Sequence, residues 1–229
     1  ALGCQPLALP LDITDRQACK TAVAKVIEHF GALHIVCANA GVTGFLGPLQ
    51  QAPERDWDWI IDVNLRGTVN TIQSCLPHLL QQAGNAHIVI TSSISGLRIY
   101  DPSRGQGMYN TTKYALVGYG EALSVDLADN QVGVSIVCPG VVNTDLSNSG
   151  RNRPDKYGGA FHVGDDFVLA KAAKAYGTDP LLFGHWVIRG IEENQLYVIT
   201  HPQDRDFVAR RHQRILDAFD HSAALTSSE

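Results

Sequence analysis

The chain has 229 residues, 45% of them hydrophobic, which is enough to bury the core of one large globular domain. Its net charge of −5 and pI near 6.0 exclude the basic field that recruits nucleic acid or an anionic membrane. The five cysteines are widely spaced and form no C-x-x-C pair, which argues against a disulfide framework or a metal site. No apolar stretch reaches the roughly 20 residues of a membrane span, and no signal peptide is apparent. We therefore expect a soluble, cytoplasmic protein that acts on a small molecule.

Short apolar runs alternate with longer segments of helical period, a pattern typical of βαβ units around a parallel sheet. In chain order the predicted strands lie at 7–11, 33–38, 87–91, 132–137 and 196–200. The predicted helices lie at 15–30, 53–82, 109–130, 179–193 and 204–219. Gly31 and Gly84 are placed to end the first two helices, and Pro77 to bend or shorten the second. The fold class is therefore α/β, a doubly wound parallel sheet in a single domain, residues 1–221, followed by a flexible tail.

Residues 145–177 interrupt this alternation. They are rich in Gly, Asn, Asp and Arg and contain no long periodic segment. A long insertion in an α/β domain is usually a lid or binding loop, or else a disordered segment. We predict that this insertion is a mobile substrate-binding lid.

Tyr109 and Lys113 stand four residues apart in a predicted helix, so both side chains project from one face about one turn apart. An ammonium held there favours the phenolate and lowers the pKa of a tyrosine from its usual value of about 10. That is the chemistry of a tyrosine acid/base. In isolation, however, a helix-surface pair is the simpler interpretation.

Other polar residues follow predicted strands or interrupt predicted helices. Ser93 comes just after the third strand, at the edge where open α/β sheets place their ligand crevice, although an ordinary Ser-rich turn would look the same. Residues 39–41, Asn-Ala-Gly, end the second strand and either admit a ligand closely or simply form a turn. Asn64 lies in mid-helix, where a buried asparagine needs structural partners or a function. Asp12 directly follows the predicted strand at 7–11, and it either has a function there or caps the N-terminus of the helix that follows.

The order of these features is more specific than any one of them. An Asp after a strand, Asn-Ala-Gly, a mid-helix Asn, Ser-Ser-x-x-Gly after a strand and Tyr-x-x-x-Lys opening a helix all occur in one chain. Over essentially its whole length the sequence resembles the short-chain dehydrogenase/reductase family. The resemblance implies a Rossmann-like fold and reversible hydride transfer between NAD(P) and a secondary alcohol or ketone.

The resemblance also implies roles for individual residues. Tyr109 would exchange a proton with the substrate oxygen, and Ser93 would polarise that oxygen. Lys113 would lower the tyrosine pKa and hold the nicotinamide ribose, and Asn64 would support a water that links Lys113 to solvent. The residues implied to bind the cofactor are Asp12, Ile13, Asn39, Ala40, Gly41, Tyr109, Lys113, Pro139, Gly140, Val142 and Thr144.

The resemblance leaves several choices open. The cofactor is NAD or NADP, with NAD slightly preferred, and the assembly is a homodimer or homotetramer built on the two long helices. A non-catalytic NAD(P)-binding sensor or scaffold protein is the alternative to an enzyme. A reductase of aliphatic, sugar or acyl substrates is the alternative within the enzyme class.

One departure from the family concerns the spacing of residues around the pocket. Ser93 and Tyr109 are further apart than is commonest in the family, which leaves Ser92 and Ser95 as alternative serines. The extra residues placed near the pocket mouth are Arg98, Tyr100 and Arg104.

Residues 57–61, 149–158 and 196–202 look like a bacterial subgroup that includes Cα-dehydrogenases of lignin-derived aryl ethers, so an aromatic substrate is implied. The simpler interpretation of Arg151 and Arg153 is that they anchor the lid through salt bridges.

A Gly-rich cofactor loop between a strand and a helix precedes all of these motifs in the family, and the sequence contains no such loop. That loop supplies the pyrophosphate site at a helix N-terminus. We therefore expect about 45 to 50 residues, including the N-terminal strand, to precede Ala1. The intact mass of the protein would then exceed 24.8 kDa.

Overall fold

A computed structural model describes residues 5–82, 86–99, 105–162 and 167–226. Its sheet has four parallel strands in the order β1-β2-β3-β4. The strands are β1 (Ile35–Ala38), β2 (Ala86–Thr91), β3 (Val132–Cys138) and β4 (Tyr197–Ile199). The prediction of a single α/β domain with a parallel sheet is confirmed.

Helices pack against both faces of this sheet. The described α-helices are α1 (Arg16–Phe30), α2 (Glu54–Ile60), α3 (Thr68–Leu79), α4 (Gly107–Asp126), α5 (Val168–Tyr176), α6 (Pro180–Glu192) and α7 (Arg205–Thr226). The main hydrophobic core lies between one face of the sheet and α1, α3 and α4. On the other face α6 covers Val89, Val137 and Val198. No helix in the described ranges is long and apolar enough to cross a membrane.

The first helix begins and ends at its capping residues. Asp15 Oδ1 accepts hydrogen bonds of 2.8 and 3.0 Å from two N–H groups of the first turn. Gly31 ends the helix in a left-handed conformation, with φ of 79°. Asp12 is therefore not the N-cap; its carboxylate accepts instead from the Thr14 N–H at 2.9 Å.

Two other predictions of secondary structure were wrong. Residues 7–11 are not a strand, because Pro6 and Pro10 lack backbone donors and no described strand lies beside the run to pair with it. The last helix does not end at Phe219 but continues to Thr226, through residues that include good helix formers. Gly84, predicted to end a helix, lies outside the described residues.

The long helix predicted at 53–82 is present but irregular. α2 leads through a π-helical segment, Ile61–Gly67, directly into α3. Pro77 lies near the end of α3, so it shortens the helix rather than breaking it. π-helical turns occur frequently at functional sites, and this one carries Asn64.

The described parts of residues 145–177 form short regular pieces. Two 3₁₀ segments, Leu146–Asn152 and Asp155–Tyr157, come before α5, and residues 163–166 lie outside the described part of the chain. This arrangement matches the prediction of an insertion without a long periodic element.

The first part of the insertion is anchored by Arg153. Its guanidinium forms a buried ion pair with Asp56 of α2. The same group lies 5.4 Å from the Trp59 ring and 5.6 Å from the Phe161 ring. Arg153 therefore anchors the insertion through a salt bridge, which was the simpler of the two interpretations of this residue. Arg151 forms an exposed salt bridge of 3.0 Å with Asp145.

Asp56→Asn should destabilise the fold strongly, because the buried Arg153 would lose its counter-charge. Breaking a buried pair from one side typically costs about 3–5 kcal/mol. Glu193→Gln, which breaks an exposed pair with Arg189, is the matched control and should leave stability unchanged. Urea denaturation measures both variants, and a wild-type midpoint for Asp56→Asn would contradict the anchoring role.

Candidate active site

Tyr109 and Lys113 lie one turn apart in α4, where both are buried. The Lys113 Nζ is 5.5 Å from the centroid of the Tyr109 ring and donates a 2.7 Å hydrogen bond to the Thr91 carbonyl oxygen. Burial lowers the pKa of Lys113 to about 8, and the nearby Cys138 acts in the opposite direction. The site therefore places a cation beside a tyrosine ring, in surroundings that disfavour its charge.

The two serines after β2 have different partners. The Ser92 hydroxyl donates to the Lys113 carbonyl oxygen at 2.8 Å, so it holds α4 against the end of the strand. The Ser93 hydroxyl donates to the Pro139 carbonyl oxygen at a longer 3.3 Å and accepts from the Ser95 N–H at 3.1 Å. Of these two serines, Ser93 has the hydroxyl that is held less firmly, because its 3.3 Å bond to Pro139 is longer than the 2.8 Å bond of Ser92.

Asn64 is fully buried and joins three parts of the site. Its Oδ1 accepts from the Val42 N–H at 2.7 Å, and its Nδ2 donates to the Val42 carbonyl oxygen at 2.9 Å. The second Nδ2 proton is directed to the Thr112 hydroxyl, 3.1 Å away. The loop after β1, the π-helical segment and α4 are therefore linked through one side chain.

Gly41 faces the polar atoms of this group. A Cβ built at Gly41 would lie 3.4 Å from Asn64 Oδ1 and 3.6 Å from Lys113 Nζ. A side chain at position 41 would fill the space in front of both atoms. The absence of one leaves room for a hydroxyl or a water that bonds to Lys113, which fits a sugar-bearing cofactor.

A cavity of about 570 Å³ lies along the carboxyl edge of the sheet, in the size range of small-ligand sites. It brings together most of the residues that the resemblance implied. Those that line it are Asn39, Ala40, Gly41, Ser93, Tyr109, Lys113, Pro139, Val142 and Thr144. The parallel strands explain this, since their carboxyl ends meet at one edge.

The other implied residues do not line the cavity. Asn64 lies behind Gly41, and Gly140 is turned toward His201. Asp12 is exposed, and the Ile13 carbonyl oxygen accepts a 3.1 Å hydrogen bond from Asn70 of α3.

The turn after β3 is held on both sides. The Pro139 carbonyl oxygen accepts from the Ile94 N–H at 2.8 Å. Further along, Val141 accepts from the Thr178 N–H at 3.0 Å, and Asn143 donates to the Thr178 carbonyl oxygen at 2.9 Å. This side of the cavity is therefore pinned to the start of α6.

Several lining residues come from the insertion and were not predicted individually. They are Asp145, Leu146, Ser147, Ser149, Arg151, Asn152, Leu169 and Ala173. The Ser149 hydroxyl accepts from the Thr43 N–H at 3.1 Å, which ties the insertion to the loop after β1. Only the position of the insertion after the Pro139-Gly140 turn signalled that it would reach the site.

Of the three residues expected at the pocket mouth, the structure describes Arg98. Arg98 does not line the cavity; it is buried in an ion pair with Asp204, and its guanidinium lies 4.4 Å from the Phe207 ring. The prediction that Arg98 lies at the pocket mouth was wrong, because its guanidinium pairs with the carboxylate of Asp204, which is distant in the sequence. Tyr100 and Arg104 lie outside the described residues.

Sequence comparison finds relatives over nearly the whole chain. A family profile described as short chain dehydrogenase matches residues 1–155. A CLA biosynthesis dehydrogenase/reductase of Lactiplantibacillus plantarum is 31% identical, over 93% of this chain and 77% of that protein. A C alpha-dehydrogenase of Sphingobium sp. strain NBRC 103272 / SYK-6 is also 31% identical, over 95% of this chain and 71% of that protein. The expected resemblance to Cα-dehydrogenases is confirmed at this level.

Solved structures share the fold. A short chain dehydrogenase/reductase from Burkholderia phymatum in complex with NAD has a TM-score of 0.85 and 28% identity, over 93% of this chain and 77% of that chain. A 3-ketoacyl-ACP reductase from Sinorhizobium meliloti 1021 has a TM-score of 0.69 and 29% identity, over 86% of this chain and 78% of that chain. These relatives are named as dehydrogenases or reductases.

The ammonium of Lys113 should titrate with a pKa near 8, well below the ordinary 10.5. The unfolded chain then keeps a proton that the folded chain has lost, so the free energy of unfolding should gain a contribution as the pH rises from about 8 toward 10.5. NMR titration of isotope-labelled lysine measures the pKa, and Lys113→Met identifies the signal by removing it. A midpoint at 10.5 or above would contradict the burial effect.

Proposed function

The chain belongs to the short-chain dehydrogenase/reductase family of NAD(P)-dependent oxidoreductases, and from this premise we propose that it transfers a hydride between NAD(P) and a secondary alcohol or ketone. The observation that carries the proposal is the common cavity onto which Ser93, Tyr109 and Lys113 open. A module that only bound the cofactor would not need a tyrosine and a buried lysine beside the same space.

In the proposed reaction Tyr109 gives a proton to the oxygen of a ketone, or takes one from an alcohol. The Lys113 ammonium, 5.5 Å from the Tyr109 ring, favours the phenolate. The Ser93 hydroxyl can exchange its long 3.3 Å bond to Pro139 for a bond to the substrate oxygen. The two hydroxyl groups together stabilise the charge that develops on this oxygen.

Lys113 has a second proposed task, to bind the nicotinamide ribose. Its Nζ donates to the Thr91 carbonyl oxygen, and an ammonium has three protons to donate. Asn64 Oδ1 keeps a second lone pair after its bond from Val42, so a water beside Gly41 could join the two side chains. We propose that this water is the link from Lys113 to solvent.

Residues 39–41 and 139–144 would hold the cofactor, whose nicotinamide ring accepts or supplies the hydride when bound. A preference for NAD is supported by the related structure that contains NAD. An aromatic substrate is supported by the related Cα-dehydrogenase and by apolar residues of the cavity, Leu146, Leu169 and Phe183.

The second part of the insertion is proposed to close over the site. Leu169 and Ala173 of α5 line the cavity, whereas Val168 and Tyr176 of the same helix are 65% and 67% exposed. The first part is anchored by the buried Arg153, so movement is expected mainly in α5.

Hydrogen exchange with and without NAD⁺ and an aryl ketone tests this lid. Peptides from α5 should gain protection, because closure packs the cavity-facing side of the helix against the ligand, while Leu146–Asn152 should change little. Equal exchange of α5 in both states would count against closure.

Tyr109→Phe should abolish turnover of a panel of aryl alcohols and ketones but leave the Kd for NAD⁺ within a few-fold of wild type, because only the acidic hydroxyl is lost. Proton transfer by a positioned group is worth about 10² to 10⁴ in rate. Lys113→Ala should damage both kcat and cofactor binding, since Lys113 has two proposed tasks.

Steady-state kinetics and cofactor titration of the two variants measure these effects. A Tyr109→Phe protein that keeps more than about a tenth of the wild-type kcat would overturn the tyrosine assignment. Wild-type protein that binds NAD⁺ or NADP⁺ without turning over any compound of the panel would favour the sensor or scaffold alternative.

A further inference from the structure

His201 directly follows the strand β4, and its side chain reaches the turn after β3. The backbone N–H of Gly140 donates a 3.0 Å hydrogen bond to Nδ1 of His201. Since a backbone N–H can only donate, this Nδ1 carries no proton, and the ring is the neutral tautomer with its proton on Nε2. The Thr200 hydroxyl lies 2.8 Å from the same nitrogen, so any bond that it donates there shares the one lone pair of Nδ1 with the Gly140 N–H.

The ring and the turn are also in tight contact. A Cβ built at Gly140 would lie only 2.5 Å from the His201 ring, so position 140 has no room for a side chain. His201 therefore sets how closely the turn approaches the end of β4.

The turn that His201 holds carries the partner of the proposed polarising serine. The Pro139 carbonyl oxygen, next to the Gly140 N–H, accepts from the Ser93 hydroxyl at 3.3 Å and from the Ile94 N–H at 2.8 Å. The orientation of this one peptide group therefore determines where the Ser93 hydroxyl rests.

A second path connects His201 to the same serine turn. The Asp204 N–H donates to the His201 carbonyl oxygen at 3.2 Å. The Asp204 carboxylate forms a buried ion pair with the Arg98 guanidinium. The backbone N–H of Arg98 donates to the Ile94 carbonyl oxygen at 3.1 Å. His201, the Gly140 turn and the Ser93 turn thus form a closed ring of contacts.

We propose that His201 is a positioning residue, which fixes the Pro139–Gly140 peptide through its Nδ1 and thereby the Ser93 hydroxyl that polarises the substrate oxygen. This inference rests on the proposed function, because Ser93 has a catalytic task only in that reaction. His201 does not line the cavity in which the reaction is placed, so it acts through the turn.

Two polar substitutions separate the hydrogen bond from the mere presence of a side chain. His201→Asn places an amide oxygen where Nδ1 lies and keeps the acceptor for Gly140. His201→Gln carries its amide one bond further and leaves the Gly140 N–H without that acceptor. His212→Gln is the matched control, because His212 lines the same cavity of about 430 Å³ as His201, while its ring nitrogen contacts Arg211 and not the turn.

His201→Gln should lower kcat on aryl alcohols at least about tenfold, whereas His201→Asn should stay within about threefold of wild type, because misplacement by about 1 Å can cost about 10²-fold. His212→Gln should leave kcat unchanged. Circular dichroism verifies that all three variants are folded. A wild-type kcat for folded His201→Gln would overturn the proposal, as would an equal loss in His201→Asn and His201→Gln.

NMR of the wild-type protein tests the hydrogen bond without relying on turnover. The His201 ring nitrogens should report the Nε2–H tautomer, and the Gly140 amide should exchange slowly in wild type and His201→Asn but quickly in His201→Gln. A proton on Nδ1 would overturn the proposal. Failure of wild type to turn over any substrate, with these NMR results intact, would instead reject the proposed function and leave His201 as the residue that fixes the turn.

Discussion

The two hydrogen bonds between the Asn64 carboxamide and the Val42 backbone are the contact on which the site depends. They join the loop after β1 to the π-helical segment, and the bond to Thr112 adds α4, the helix of Tyr109 and Lys113. Each buried polar group left without a partner costs about 1–3 kcal/mol, so these three parts cannot separate cheaply. The shared cavity is a consequence of this linkage as much as of the parallel sheet.

The same packing gives Lys113 its properties. It is 3% exposed and its charged form is disfavoured, so the lysine reduces the stability of the fold at neutral pH. Such a cost is typical of functional sites, where activity is maintained at the expense of stability. In this site Lys113 Nζ lies 5.5 Å from the centroid of the Tyr109 ring and also borders the space that Gly41 leaves open, so a ligand hydroxyl placed there would reach the ammonium.

Most strands and helices were predictable because local periodicity and capping residues such as Asp15 and Gly31 determine them. The errors arose where partners distant in the chain decide. Residues 7–11 have a strand-like composition, but a strand forms only beside another strand. The position of Arg98 depends on Asp204, and that of Gly140 depends on His201, 61 positions away. The π-helical segment likewise leaves no mark in the sequence, because it accompanies the contacts of Asn64 with Val42.

We propose that the chain transfers a hydride at this edge of the sheet. Deuterium transfer from 4-deuterated NADH, with NADPH in parallel, to a panel of aryl ketones tests it most directly by mass spectrometry of the products. Hydride transfer should place one deuterium on the carbinol carbon of the alcohol formed, from one face of the nicotinamide only. Bound cofactor with no deuterium in any product would contradict it.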